Sequence, residues 1–324
     1  MNRASRYITG ILAATALTVG LGAGTAHASL IPYPAVPPAK TVEPGMRISF
    51  DNHTEAKDAC TIGAVGTDSA GRKVGITAGH CNPTTNTDFP NDPAPYYPGP
   101  NRQVYTTDNT HPVFDWRDRA AGPIGWIRWV SHDQRYGFDE SLGKLDYMVI
   151  QFADNITVSS RMKTAPKYGP TNGIAFDPVN ASSPGPIVTP SEPWLNMNAL
   201  YADAAGNPKE AQPGQTICQV GSSTVGGYAQ ADDPKQARCG VVLTTQNGLI
   251  DAWTQNLPAD SGGPAFVDGS NTKWAGIVNA HIARFILGVP VQNFYRYTSA
   301  KRILDDMNTK AGDFTGKGFQ MANN

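Results

Sequence analysis

Short runs of β-branched, aromatic and aliphatic residues recur from Met46 onward, each bounded by Gly, Pro, Asn or Asp. Four lie in the first half, at 61–65, 73–77, 126–130 and 146–152. Four more lie at 216–220, 240–244, 264–267 and 274–278. Such runs between turn-forming residues predict β-strands. A doubly wound α/β chain needs helical stretches between its strands, and here they are missing. Many short strands with Gly- and Pro-rich turns predict a sandwich or barrel. One segment breaks the pattern: 299–307 spaces its apolar residues at helical period, with Ser299 as N-cap. No internal repeat of fixed period is present.

Proline marks the interruptions. Residues 29–45 carry five prolines and no apolar period, which predicts an extended N-terminal arm. Six prolines fall between Asn82 and Asn101, around Tyr96-Tyr97-Pro98, and predict a long surface loop. Six more fall between Tyr168 and Trp194, where a linker between two β units is expected. Ahead of the arm, Arg3 and Arg6, the apolar stretch 8–21 and Ala26-His27-Ala28 form the three parts of a secretory signal peptide. The expected organisation is a signal peptide (1–28), an arm (29–45), an N-terminal β unit (46–168), a linker (169–194) and a C-terminal β unit with the helix (195–324).

Composition narrows the function classes. The 324 residues are 40% hydrophobic and 16% charged, with a net charge of −1, so there is no basic footprint for nucleic acid. Beyond the N-terminus no run is apolar enough to span a bilayer, which takes about 20 residues. No cofactor motif is found, and no C-x-x-C or H-E-x-x-H spacing suggests a metal. In an exported chain the four cysteines are most simply two disulfides. Four cysteines allow three connectivities; proximity in sequence favours Cys60–Cys81 with Cys218–Cys239.

Two segments carry candidate chemistry. Thr77-Ala-Gly-His-Cys81 ends a strand with a histidine, and Asp260-Ser-Gly-Gly-Pro264 sets a serine in a glycine-rich turn. A serine is a poor nucleophile until a base takes its proton, and histidine is the usual base near neutral pH. The glycines let a substrate carbonyl approach the backbone N–H groups beside the serine. A third group must orient the histidine, and Asp146, opening a strand between the other two segments, has the right chemistry.

These segments resemble the catalytic motifs of the chymotrypsin-like (trypsin-fold) serine proteases, in that family's order of His, Asp, Ser. The likeness to secreted actinobacterial members covers roughly Cys60 to the C-terminal helix. It implies an all-β fold of two packed antiparallel barrels with the active site in the cleft between them and a short terminal helix. It also implies His80, Asp146 and Ser261 as the triad, and the backbone N–H groups of Ala259 and Ser261 as the oxyanion hole. The Cys60–Cys81 pair resembles the disulfide that braces the family's histidine, and Cys218–Cys239 resembles a second family loop.

The chain departs from the pattern at four places. Ala259 stands where the family usually has Gly, and a Cβ costs roughly 1–2 kcal/mol if the turn needs positive φ; distortion of the resting turn is therefore expected. Gln255 falls at the pocket base. Asn279, Ala280 and His281 occupy the substrate-lining strand, with Asn279 expected to accept a hydrogen bond near Asp146 and His281 to narrow the pocket entrance. Finally, no Ile-Val-Gly-Gly-type N-terminus precedes Cys60, so Asp260 must be held by some other group.

The expected function is a secreted, monomeric serine endopeptidase acting on polypeptides, without cofactor or metal. A protease-fold binding module with weak or no catalysis is the first alternative, motivated by Ala259 and the 82–101 insertion. A serine esterase of the α/β-hydrolase class is the second, on the near match of Ala259-Asp-Ser-Gly-Gly263 to the G-x-S-x-G elbow.

Overall fold

The structure is a computed structural model. It describes residues 39–50, 59–81, 103–105, 107, 109, 111–132, 145–163, 194–224, 227–228, 237–254, 256, 259–267, 273–286 and 289–324. The expected signal peptide, most of the arm, the 82–101 loop, nearly all of the 169–194 linker and Gln255 lie outside these residues.

The predicted short strands assemble into two β units. In the second half, strands Thr216–Val220, Ala237–Gln246, Leu249–Trp253, Val289–Ser299, Trp274–Ile286 and Pro264–Val267 pair in that order, and the last returns to the first as a closed barrel. Antiparallel pairing throughout lets alternate residues point inward, and Ile217, Val242, Ile250, Ala252, Ala265, Val278, Tyr295 and Tyr297 form its core.

The first half builds a nine-stranded sheet. Its path runs Gln320–Met321, Ala64–Thr67, Lys73–Thr77, Asp146–Phe152, Gly125–His132, Pro112–Asp115, Arg47–Phe50 and Cys60–Thr61, and the ninth strand, Gln103–Tyr105, pairs off this path with Gly125–His132. The run predicted as one strand at 61–65 is two. Cys60–Thr61 pairs with Arg47–Ile48, and Ala64–Thr67 pairs with Lys73–Ile76. Both pieces belong to one stretch of chain, so the sheet curls back onto itself at Ile62–Gly63. A Cβ at Gly63 would sit 2.4 Å from the Gly262 carbonyl oxygen and from Ile277 Cγ2, both in the second unit. The bend therefore requires glycine, because it is where the two units press together.

The predicted helix is Ala300–Thr309, capped by the Ser299 hydroxyl, which accepts from the Arg302 N–H. Ile303, Leu304 and Met307 are buried in a core cluster that runs from the interior of the first sheet to Phe266, Trp274 and Ile277 of the second barrel. The chain after it follows the same course. Phe314 and Phe319 enter that core, and Gln320–Met321 pairs antiparallel with Gly66–Thr67. Residues C-terminal to the second barrel thus complete the sheet of the first unit. Both disulfides favoured by proximity are formed, Cys60–Cys81 and Cys218–Cys239. Among the described residues, no helix is long and apolar enough to cross a membrane, and no cluster of His, Cys, Asp or Glu could hold a metal ion.

Candidate active site

His80 sits in a single 3-10 turn, Gly79–Cys81, directly after strand Lys73–Thr77. Strand Asp146–Phe152 pairs with that strand through Thr77 and Met148, which sets Asp146 beside the turn. Asp146 is buried, and its carboxylate holds the histidine twice. Oδ1 accepts from the His80 backbone N–H at 2.7 Å, and Oδ2 lies 2.7 Å from Nδ1. A carboxylate against Nδ1 keeps the proton on that nitrogen and leaves Nε2 as the acceptor. Burial pulls the His80 pKa down, but the charge and hydrogen bond of Asp146 outweigh it, and the net shift is upward from the ordinary histidine value.

Ser261 reaches the same corner from the second unit. Its carbonyl accepts from the Thr61 N–H at 2.8 Å and lies 3.9 Å from Cys81 Sγ. Thr61 follows Cys60, whose disulfide partner is Cys81, so the bridge, the histidine turn and the serine turn form one contiguous patch. Gly262, with φ of +81°, makes that seating possible: a Cβ there would be 2.0 Å from Thr77 Oγ1 and 2.6 Å from the Thr61 carbonyl oxygen. His80 and Ser261 are both partly exposed, as groups that meet a substrate must be.

Ala259 adopts φ of +72°. The turn does need the left-handed region, and the alanine takes it up instead of distorting the turn, at the roughly 1–2 kcal/mol a Cβ incurs there. Its carbonyl is anchored by two buried hydroxyls, Thr61 Oγ1 at 2.6 Å and Ser222 Oγ at 3.0 Å.

Asp260 is buried at 1% exposure, and Arg238 Nη1 lies 3.5 Å from its Oδ2. Arg238 is the holding group that the sequence left unnamed. Nothing local signals it, since it looks like an ordinary strand residue beside Cys239 and pairs across the barrel with Gln219. Asn279 acts differently from expectation. Its Nδ2 donates to Thr298 Oγ1 at 3.0 Å, and Thr298 in turn donates to the Asp146 carbonyl oxygen at 3.3 Å. It is a donor one step removed from Asp146, with Thr298 the residue that makes contact. The register slips between Val278 and Ala280, which places Asn279 at an irregularity where its side chain can turn toward Thr298.

His281 is exposed and stacks on Tyr295, its cross-strand partner, with ring centroids 4.5 Å apart. Beside the undescribed Gln255, Thr254 Oγ1 and Tyr297 OH share a 2.6 Å hydrogen bond, both fully buried. Burial pushes the Tyr297 phenol far above its ordinary value, so it stays neutral.

No family model and no curated protein matches this chain. Solved structures do resemble it. Protease A of Thermobifida fusca is 15% identical with a TM-score of 0.46, covering 88% of this chain and 100% of its own. A Nocardiopsis protease is 14% identical, TM-score 0.42, covering 87% and 100%. Cellulomonas bogoriensis chymotrypsin is 16% identical, TM-score 0.44, covering 88% and 100%. By its own strand order, with a closed six-stranded barrel, a second sheet curled onto the stretch 60–67 and a terminal helix, the chain is an all-β protein of the chymotrypsin-type fold.

Proposed function

We propose that this chain is a secreted serine endopeptidase working through an acyl-enzyme. Ser261 Oγ forms a bond to the scissile carbonyl carbon while its proton passes to His80 Nε2. The carbonyl oxygen becomes an oxyanion received by the backbone N–H groups of Ala259 and Ser261. On collapse the C–N bond breaks, and the imidazolium returns the proton to the leaving amine. Water then repeats the sequence on the ester, giving up its proton to His80 and restoring Ser261. Asp146 keeps the imidazole in one tautomer and stabilises its charged form.

One observation carries this reading: the buried Asp146 carboxylate grips both the backbone and Nδ1 of His80, at 2.7 Å each, on the patch where the Ser261 turn is seated. A core histidine needs no such double hold. Two disulfides support an oxidising compartment. An α/β-hydrolase esterase requires helices between parallel strands, whereas the only α-helix among the described residues is Ala300–Thr309.

The test is a fluorophosphonate probe on the disulfide-intact protein, with the adduct located by peptide mass mapping and His80→Ala as control. Labelling at Ser261 that requires His80 is expected. A folded protein that stays unlabelled would turn the reading to a binding module on a protease fold.

A further inference from the structure

Alanine at 259 poses a problem that the surrounding residues answer. Three side chains, drawn from both β units, are organised around the carbonyl of that one residue. Arg47, Thr61 and Ser222 are each fully buried, at 0% exposure, and the first two belong to the first unit. Arg47 donates from Nε to Ser222 Oγ at 3.1 Å and from Nη2 to the Ser222 carbonyl oxygen at 2.7 Å. The Ser222 N–H donates to Thr61 Oγ1 at 3.1 Å. Both hydroxyls lie within hydrogen-bond reach of the Ala259 carbonyl oxygen, at 2.6 and 3.0 Å.

The directions of these bonds follow from donor inventory. A guanidinium has no acceptor, so Ser222 Oγ must receive from Arg47, and its own proton must point elsewhere. A backbone N–H cannot accept either, so Thr61 Oγ1 receives from Ser222 and must donate onward. The two hydroxyls are 2.8 Å apart, but pairing them with each other would leave the Ala259 carbonyl with one donor where it has room for two. The arrangement that gives that carbonyl both of its donors sends both hydroxyl protons to it. Arg47 thereby sets the polarity of a relay that ends on the peptide between Ala259 and Asp260.

We propose that Arg47, Thr61 and Ser222 are positioning residues that clamp the oxyanion turn in its left-handed conformation despite the alanine. The proposal rests on the protease reading of the site. Glycine would visit φ of +72° freely, whereas alanine needs a restraint to keep it there. A carbonyl fixed by two donors supplies that restraint, and with the Ala259–Asp260 peptide fixed, the N–H groups on either side of Asp260 keep their aim. Because Arg47 and Thr61 come from the first unit, the oxyanion turn of the second unit is set only when the two are docked.

The test measures acylation by p-nitrophenyl acetate in stopped flow, separating the acylation rate k2 from the binding constant Ks, alongside fluorophosphonate labelling rates. Thr61→Val keeps the side-chain shape and removes the donor. It is expected to lower k2 about 10- to 100-fold with Ks within about threefold, less than the 10²–10³ that losing an oxyanion donor outright costs. Thr61→Ser restores the hydroxyl and is expected to recover most of the rate. Ser222→Ala is expected to lower k2 about 3- to 10-fold, since one donor to the carbonyl remains. In an Ala259→Gly background the Thr61→Val loss is expected to shrink below about fivefold, because glycine holds the turn unaided.

Equal rates for Thr61→Val and the parent, or a loss undiminished by Gly at 259, would overturn the proposal while leaving the protease reading intact. A parent protein that is folded yet never acylated would overturn both. Should Thr61→Val not fold, Ser222→Ala with and without Ala259→Gly decides the same question.

Discussion

Arg238 and Asp260 form a buried ion pair at 3% and 1% side-chain exposure, one residue from the candidate nucleophile. Their 3.5 Å separation is long for a charge-assisted hydrogen bond, which runs about 2.7–2.9 Å. The net worth of the pair over an apolar replacement is therefore small, yet the cost of breaking it from one side is large. Arg238→Met deprives a carboxylate with almost no solvent of its guanidinium, and removing one partner of a buried pair costs about 3–5 kcal/mol. For a chain of this size that corresponds to a fall in Tm of roughly 5–8 °C. Arg238→Met with Asp260→Asn removes both charges and is expected to recover at least half of the loss.

The assay is thermal and denaturant unfolding in a Ser261→Ala background, which removes the nucleophile of the proposed activity. A single-mutant cost below about 1 kcal/mol, or a double mutant no better than the single, would refute the reasoning.

Four further outcomes follow. Under the proposed mechanism, the raised pKa of His80 is expected to place the acid limb of kcat/KM above the ordinary histidine value. Asp146→Asn should move it down and lower kcat by about 10⁴, as pH–rate profiles will show. The same shift makes the His80–Asp146 contribution to stability complete below the unfolded histidine pKa of about 6.5 and lost as pH rises through the folded one, which chemical denaturation of Ser261→Ala protein across pH 5–9 will detect. Replacing Cys60 and Cys81 with Ala opens a loop set by a separation of 21 residues and should cost about 3 kcal/mol, read from the urea midpoint. Deleting 319–324 removes the buried Phe319 and the strand Gln320–Met321 and should cost at least about 2–3 kcal/mol; an unchanged midpoint would mean the tail merely lies on the sheet.

The parts of this molecule legible in the sequence are those in which neighbours in sequence are neighbours in space. Strands 73–77 and 146–152 announce themselves by composition, Ser299 by its place before a helical period, and His80 and Ser261 by the turns that carry them. Both disulfides bridge residues close enough along the chain for proximity to favour them. What escaped depends on distant partners. Arg47 meets Ser222 across 175 residues, and Thr298 meets Asp146 across 152, so neither has a local signature. The bend at Ile62–Gly63 was hidden inside an apolar run, because its cause is the second unit pressing on Gly63. Gln320–Met321 has too short an alternation to read as a strand and becomes one through Gly66–Thr67.

That last pairing has a consequence for how the molecule comes into being. Every other strand of the first sheet lies before Ala153 in the chain, yet Gln320–Met321 joins its edge, and Phe314 and Phe319 enter the core cluster that the sheet shares with the second barrel. A polypeptide delivered from its N-terminus, by ribosome or export channel, presents the first unit long before these residues arrive. That unit must wait, incomplete, until the whole second barrel has emerged. The two halves are thus not independent modules in time: the first sheet is completed only after the second barrel has been delivered. A chain cut short after the second barrel would hold His80, Asp146 and Ser261 and still lack the strand that completes the edge of the first sheet.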